Sequence, residues 1–399
     1  MTDATISPGR AETTTYAILM AVSLCHLLND VMQSLLAAIY PMLKTEFALD
    51  FWQIGMLTFC FQVTASLLQP VVGLVTDRRP LPYSLPVGMA STMCGLVLLA
   101  FAPGYGLLVA GAALIGVGSS IFHPEASRVA RAASGGRFGM AQSVFQVGGN
   151  FGSAIGPLLA AFVVVPLGRP SVAWFALAAL TGMVILTRVS HWHSRAQAAA
   201  KRRGATLMTN ALPRSRVILA VSVLVALIFS KQVYMAGITS YYTFFLIERF
   251  GLDTQQAQQM LFLFLGAVAL GTVIGGPIGD RIGRRTVIWV SILGVLPFTL
   301  MLPYASLIWT GVLSVIIGVV LASAFPAIVV FGQELLPGRV GLVAGLFFGL
   351  AFGVAGIGAA VLGALADAKG IEFVFAICAF LPALGVLTVL LPGRRAMGG

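Results

Sequence analysis

The sequence predicts an all-α integral membrane protein of twelve transmembrane helices arranged as two pseudo-symmetric six-helix bundles. Three observations predict it. Apolar residues fill 58% of the 399 positions and charged ones only 9%, whereas a soluble domain carries about a quarter charged residues to face water. Apolar stretches recur from end to end, each long enough to cross a ~30 Å hydrocarbon core as a helix. A set of residues also repeats at an offset of half the chain, the mark of a duplicated unit.

The spans read Tyr16–Leu43, Phe51–Thr76, Tyr83–Ala102, Tyr105–Ala130, Phe138–Val165 and Ser171–Trp192. After a polar stretch come Val217–Ile247, Gln255–Gly279, Thr286–Pro303, Leu307–Gly332, Val340–Ala366 and Phe373–Leu391. The first is too long for a signal peptide, and it contains Asn29 and Asp30. Abundant glycine suits helices packed closely in lipid. The short alternating segments of a β-barrel are not seen.

Residues His193–Arg216 are the one long polar loop. They divide the chain into an N-terminal bundle (1–192), a cytoplasmic linker (193–216) and a C-terminal bundle (217–399). Gly73, Asp77 and Arg78 recur as Gly276, Asp280 and Arg281; Pro124, Arg137, Gly139, Phe145 and Gly156 recur as Pro326, Arg339, Gly341, Phe347 and Gly358. Parallel halves of this kind place a solute site near mid-membrane between them.

The net charge of +11 does not point to nucleic acid. Lys44, Arg169, Arg249 and Lys369 fall on one side and Lys231 inside a span, while every other Lys and Arg falls on the opposite side. That asymmetry is the positive-inside rule, and it puts both termini in the cytoplasm. The four cysteines, Cys25, Cys60, Cys94 and Cys378, lie within spans without metal-ligand spacing, and packing accounts for them. No cofactor or metal is expected. No nucleophile elbow, phosphate loop or metal triad points to an enzyme.

Between the second and third helices of the second half stands Gly276-Pro-Ile-Gly-Asp280-Arg281-Ile-Gly283-Arg284-Arg285. The first-half copy, Gly73-Leu-Val-Thr-Asp77-Arg78-Arg79-Pro80, keeps the glycine, the acid and the first arginine, then departs. Acid and arginines on a tight turn can lock to neighbouring helix ends in one conformation and release in another. Asp77, Arg78, Asp280, Arg281 and Arg284 are therefore read as a conformational lock, with Glu334 as the partner of Arg284. Topogenic charge alone is the competing reading for the arginines. The loop resembles the signature of the major facilitator superfamily, and Gly152-x-x-x-Gly156-Pro157 resembles the antiporter motif of its drug exporters.

Longer strings resemble the bacterial fosmidomycin-resistance family: His26-Leu-Leu-Asn29-Asp30, Ser66-Leu-Leu-Gln69-Pro70, Phe122-His123-Pro124-Glu125-Ala-Ser127-Arg128 and Gln142-Ser-Val-Phe-Gln146-Val-Gly-Gly-Asn150. This resemblance implies a major-facilitator fold and a proton-driven exporter of the bacterial inner membrane. It would act on the phosphonate fosmidomycin and other small drugs, and as a monomer.

Polar groups at membrane depth are costly and default to function. His26, Asn29, Asp30 and Gln33 share one face of the first helix. A carboxyl group there is costly to keep charged, which suits a proton carrier; a structural Asp bonded to a neighbour is the alternative. Glu125 and His123 on the fourth helix are further proton candidates. Glu125 can pair with Arg128 three residues on, unless Arg128 snorkels to the interface. Gln62 and Gln69 on the second helix, and Gln142, Gln146 and Asn150 on the fifth, form stripes that glue helices or line a wet cavity. Lys231, with Tyr234 nearby, lies too deep to snorkel. It either attracts an anionic substrate or serves as countercharge to Asp30 or Glu125. The substrate-contact set is thus His26, Asn29, Gln33, Gln62, Gln69, Gln142, Gln146, Asn150, Lys231 and Tyr234. Proton-coupled drug export is the leading function, with uptake symport of a sugar or organic anion, or a membrane sensor or scaffold, as alternatives.

Overall fold

The computed structural model describes residues 14–202 and 212–393. Arg10, Arg203, Arg394, Arg395 and the middle of the expected linker lie outside the described residues. Among the described residues, twelve helices long and apolar enough to span a membrane follow one another. In the first half they are α1 (Tyr16–Ala38), α2 (Phe51–Arg78), α3 (Ser84–Phe101), α4 (Tyr105–Ala132), α5 (Phe138–Leu167) and α6 (Arg169–Ala199). In the second half they are α7 (Arg214–Phe250), α8 (Thr254–Ile282), α9 (Arg284–Tyr304), α10 (Leu307–Leu335), α11 (Val340–Lys369) and α12 (Ile371–Leu390).

The duplication is visible in how the helices begin. Asp50 caps α2, its carboxylate taking the Gln53 N–H at 2.7 Å while the Gln53 side chain takes the Asp50 N–H. Asp253 and Gln256 build the same reciprocal cap on α8. Each box satisfies two N–H groups that a helix start leaves unpaired.

Two expected boundaries change. The first span does not run to Leu43: α1 ends at Ala38 and a short helix, Tyr40–Glu46, follows. Pro41 has no N–H to continue the ladder. The polar linker does not begin at His193, because helix continues from α6 to Arg202. Ala, Gln, Lys and Arg are good helix formers, so the charges end the membrane span and not the helix. Helix resumes at Arg214, after Pro213.

The outer surface is apolar, unlike that of a soluble protein, and several polar side chains are buried. Phe162, Phe262 and Ile308 are 77–80% exposed on the outside, while His26, Asn29, Gln69, His123 and Gln333 are at most 1% exposed. Lipid covers the first set, and protein partners must satisfy the second. The apolar core is split. One cluster runs through the first half and across to parts of α7, α9, α10 and α11, and another lies within the second half.

The halves meet along α2–α11 and α5–α8, at the end of the molecule that carries the α2–α3 and α8–α9 loops, here the basic face. Glycines set that approach. A side chain on Gly73 would meet the Gly341 carbonyl, and one on Gly276 would meet the Gly139 carbonyl. Gly345 and Gly349 sit likewise over the carbonyls of Gln69 and Ser66. Close backbone approach through small residues is how helices associate without a hydrophobic drive in lipid. Going away from the basic face, the last inter-half hydrogen bond described runs from Asn150 Nδ2 to Thr272 Oγ1, at 3.2 Å.

Candidate functional site

The polar face of α1 meets α4 and α5 around one carboxylate. Asp30 Oδ1 accepts from Asn29 Nδ2 (3.0 Å) and Gln33 Nε2 (3.2 Å), and Oδ2 from Ser153 Oγ (3.4 Å). Gln33 in turn accepts from Ser119 Oγ of α4 at 2.9 Å. Two imidazoles flank the acid: His26 Nε2 lies 3.5 Å from Oδ2 and His123 Nε2 3.6 Å from Oδ1. The glycines of α5 make this possible. A side chain on Gly149 would run into the His26 ring and the Asp30 carboxylate, and one on Gly152 into the Leu27 carbonyl. The Gly152–Gly156 motif is the surface on which α1 lies, with Gly156 against Val31 and Ser34.

Hydrogen bonding fixes which nitrogens face the acid with a lone pair. His26 Nδ1 is 2.7 Å from the Phe145 carbonyl, and His123 Nδ1 is 3.0 Å from the Ser119 carbonyl. A carbonyl oxygen only accepts, so both Nδ1 atoms carry the hydrogen. In neutral rings both Nε2 atoms are then bare acceptors aimed at an acceptor-only carboxylate. The arrangement is satisfied when a proton lies between a ring and the acid. The donor atoms of His26, Asp30 and His123 all lie within 4.8 Å of one another, close enough to share one proton or small cation.

A second polar centre belongs to α7. Lys231 is 8% exposed. Its ammonium reaches Gln232 Oε1 at 3.4 Å and stands 5.1 Å from the centre of the Phe325 ring. No carboxylate pairs with it among the described residues, so the countercharge reading of Lys231 fails. Aromatic rings join the two centres. His123 packs on Phe348 (5.3 Å) and Phe352 (5.2 Å) of α11, and Phe348 packs edge-on against Phe325 at 5.1 Å.

Near the basic face each half closes on the other through an acid at a helix start. Asp77 accepts the Gly341 and Leu342 N–H groups at 3.0 and 2.8 Å; Asp280 accepts those of Gly139 and Met140, both at 2.9 Å. Free N–H groups and the helix dipole both favour an anion there. Arg128 joins Asp77 (2.6 Å) to Glu125 (2.8 Å), and Arg284 joins Asp280 (2.9 Å) to Glu334 (3.0 Å). A polar bridge completes the closure: Gln142 accepts from Ser127, Ser127 accepts from Gln333, and Gln333 accepts from Arg131.

A family model described as the Major Facilitator Superfamily matches residues 22–359. The chain belongs to the major facilitator superfamily. It is 63% identical over 382 residues to the fosmidomycin resistance protein of Escherichia coli (strain K12), covering 96% of this chain and 94% of that one. It is 43% identical to the uncharacterised MFS-type transporter YfnC of Bacillus subtilis (strain 168), over 96% and 95% of the two chains. A crystal structure of the E. coli fucose:proton symporter FucP shares the fold at a TM-score of 0.73 and 15% identity, covering 96% of this chain and all of that one. The protein is a membrane-embedded transporter of the fosmidomycin-resistance family, and not an enzyme.

Against this major-facilitator frame several expected residues move. Glu125 sits in the Arg128–Asp77 network and not beside Asp30, because Pro124 and helical phase turn it away from His123. Arg128 is half-buried in that network instead of snorkelling. Gln142 belongs to the closed bridge, and Gln69 bonds back to the Ala65 carbonyl beneath Gly345; neither lines a cavity. Tyr234 is a core residue of the second half. Arg78 and Arg281 are exposed and form no ion pair among the described residues. His26 and Asn29 are spent on Asp30. Gln33, Gln62, Gln146 and Asn150 stay half-buried at mid-depth. Ser119, Ser153, Arg131, Gln333, Phe325, Phe348 and Phe352 were not singled out from sequence. Hydroxyls and phenylalanines are too common within spans to signal a role without their neighbours.

Proposed function

We propose that this major-facilitator transporter exports small anionic drugs, fosmidomycin-like phosphonates among them, in exchange for protons across a bacterial inner membrane. It works as a monomer, with both termini in the cytoplasm and the two six-helix sets as the moving halves. The observation that carries the reading is the carboxylate of Asp30 held between two imidazoles whose Nε2 atoms face it. Such a cluster has room for one shared proton, because the two ring nitrogens and the carboxylate that face one another are all acceptors. Lys231 supplies the complementary half: a buried ammonium without a carboxylate partner, to which a phosphonate would be drawn.

Positive-inside logic makes the basic face cytoplasmic. The locked face is then the cytoplasmic one, and in the exchange scheme this closed-inside arrangement is the state that faces the outside. Proton uptake by the His26–Asp30–His123 cluster belongs to this state, and drug capture at Lys231 to the opposite one. The Phe348–Phe325 wall touches both centres, so a shift of His123 on protonation reaches the ring beneath Lys231. The family relation to a fosmidomycin resistance protein supports the drug class, and the Gly152–Gly156 packing supports the rigid first half this scheme needs.

Proteoliposomes with an imposed pH gradient test it. Wild-type protein is expected to accumulate fosmidomycin against its gradient. Asp30→Asn is expected to lose at least about tenfold of that accumulation while the protein still inserts and melts normally; undiminished gradient-driven transport by Asp30→Asn sinks the proposal. Phe348→Ala is expected to keep downhill flux and lose about tenfold in coupling, within the range typical of linked sites. Equal loss of both fluxes would mean that Phe348 only packs.

A further inference from the structure

An apolar groove of about 470 Å³ opens on the membrane side of the first half, between α2, α3 and α4 near the basic face. Its walls include Val71, Val75, Leu81, Tyr83, Val87 and Ile121, and the valines, Leu81 and Tyr83 are exposed. The space is many times the ~30 Å³ share of a water molecule, and its exposed lining is apolar throughout. Water does not stably fill such a space at membrane depth; a hydrocarbon chain does.

The rim tells which molecule brings the chain. Thr76 on one wall and Leu81 on the other are joined by the segment that carries Arg78, Arg79 and Pro80. Both arginines are exposed and form no ion pair among the described residues. They stand at the end of α2, where the span meets the headgroups. Tyr83 completes the rim, its hydroxyl held by His191 Nε2 at 3.1 Å. An apolar slot beneath two unpaired guanidinium groups complements an anionic phospholipid, tail below and phosphate above.

The groove also has a defined floor. Thr76 Oγ1 accepts from Arg128 Nη2 at 3.0 Å, and Ser84 Oγ donates to Glu125 Oε2 at 3.3 Å. A chain lying over Thr76 and Ser84 keeps water from the ion pairs of the first-half lock.

We propose that this groove is a binding site for one anionic phospholipid of the inner leaflet, its phosphate held by Arg78 and Arg79 and one acyl chain between α2 and α3. The site does not depend on the direction of transport or on proton coupling. Native mass spectrometry of the detergent-purified full chain, titrated with phosphatidylglycerol or phosphatidylcholine, tests it. One phosphatidylglycerol is expected to bind roughly tenfold more tightly than phosphatidylcholine. The double variant Arg78→Ala/Arg79→Ala is expected to abolish that preference, and Val75→Trp or Val87→Trp to block the first bound lipid of either kind. Equal binding of the two lipids by the wild type overturns the proposal. So does a preference that survives loss of both arginines, or a first lipid that survives both groove-filling variants.

Discussion

The two lock clusters hold the same charges and are built from different parts of the chain. In each, an aspartate at the end of a half's second helix caps the start of a helix in the opposite half, and an arginine joins it to a glutamate. In the second half the arginine, Arg284, comes from the signature loop itself. In the first half that loop has lost its later arginines, and Arg128 of α4 supplies the cation from the same bundle. What the duplication preserved is the electrostatic task, an acid that caps a helix start and is joined to an arginine, and not the position of its partner. The first cluster is also the more buried. Arg128, Asp77 and Glu125 side chains are 12%, 7% and 7% exposed, against 15%, 14% and 25% for Arg284, Asp280 and Glu334.

That contrast can be broken at three levels. The largest effect is expected from Gly341→Leu, since a side chain there would strike the Arg128 guanidinium and the Gly73 carbonyl together. Closure of the basic face should be lost and transport should fall by more than about tenfold, in keeping with a population shift of several kcal/mol. Cysteine accessibility from the two sides of the membrane would read it, and an unchanged pattern would mean the helices part more easily than their packing implies. Next come the arginines. Arg128→Ala leaves two acids without their cation in the more buried cluster and should cost about 3 kcal/mol. Arg284→Ala, in the wetter cluster, should cost about 1 kcal/mol or less. Melting curves in one detergent compare them, and equal losses would erase the distinction between the clusters. Smallest are Arg78→Ala and Arg281→Ala, which in lipid-free detergent should shift stability by no more than about 0.5 kcal/mol. A larger loss would return these exposed residues to the lock.

Much of this was legible in the chain. Hydropathy gave the spans, the half-chain offset gave the duplication, and the i, i+3, i+4, i+7 spacing put His26, Asn29, Asp30 and Gln33 on one face. Asp77 and Asp280 could be read as lock residues because a helix-end acid on a tight turn has a recognisable local pattern. Arg128 could not. Its partner Asp77 lies 51 positions away, and nothing local separates an arginine that pairs across helices from one that reaches for the headgroups. The Glu125–Arg128 pair, three residues apart, was open to local reading; the Asp77 carboxylate that completes it was not. Gln69 and Gln142 show the limit of polar stripes, because gluing and cavity-lining glutamines look alike until the facing helix is known.

The sequence by itself determined that this chain spans a membrane as two related six-helix sets, and that one acid and one lysine lie deep within it. Those facts follow from transfer free energy and periodicity, which act residue by residue along the chain. Only the tertiary structure decided that His123 of α4 faces Asp30 of α1, that both rings turn their Nε2 atoms toward it, and that Lys231 stands apart from every described carboxylate. Such facts depend on the rotation and depth of one helix against another. Those are set by where glycines let backbones touch, Gly149 beneath His26 and Gly341 beneath Gly73, and by no single segment alone.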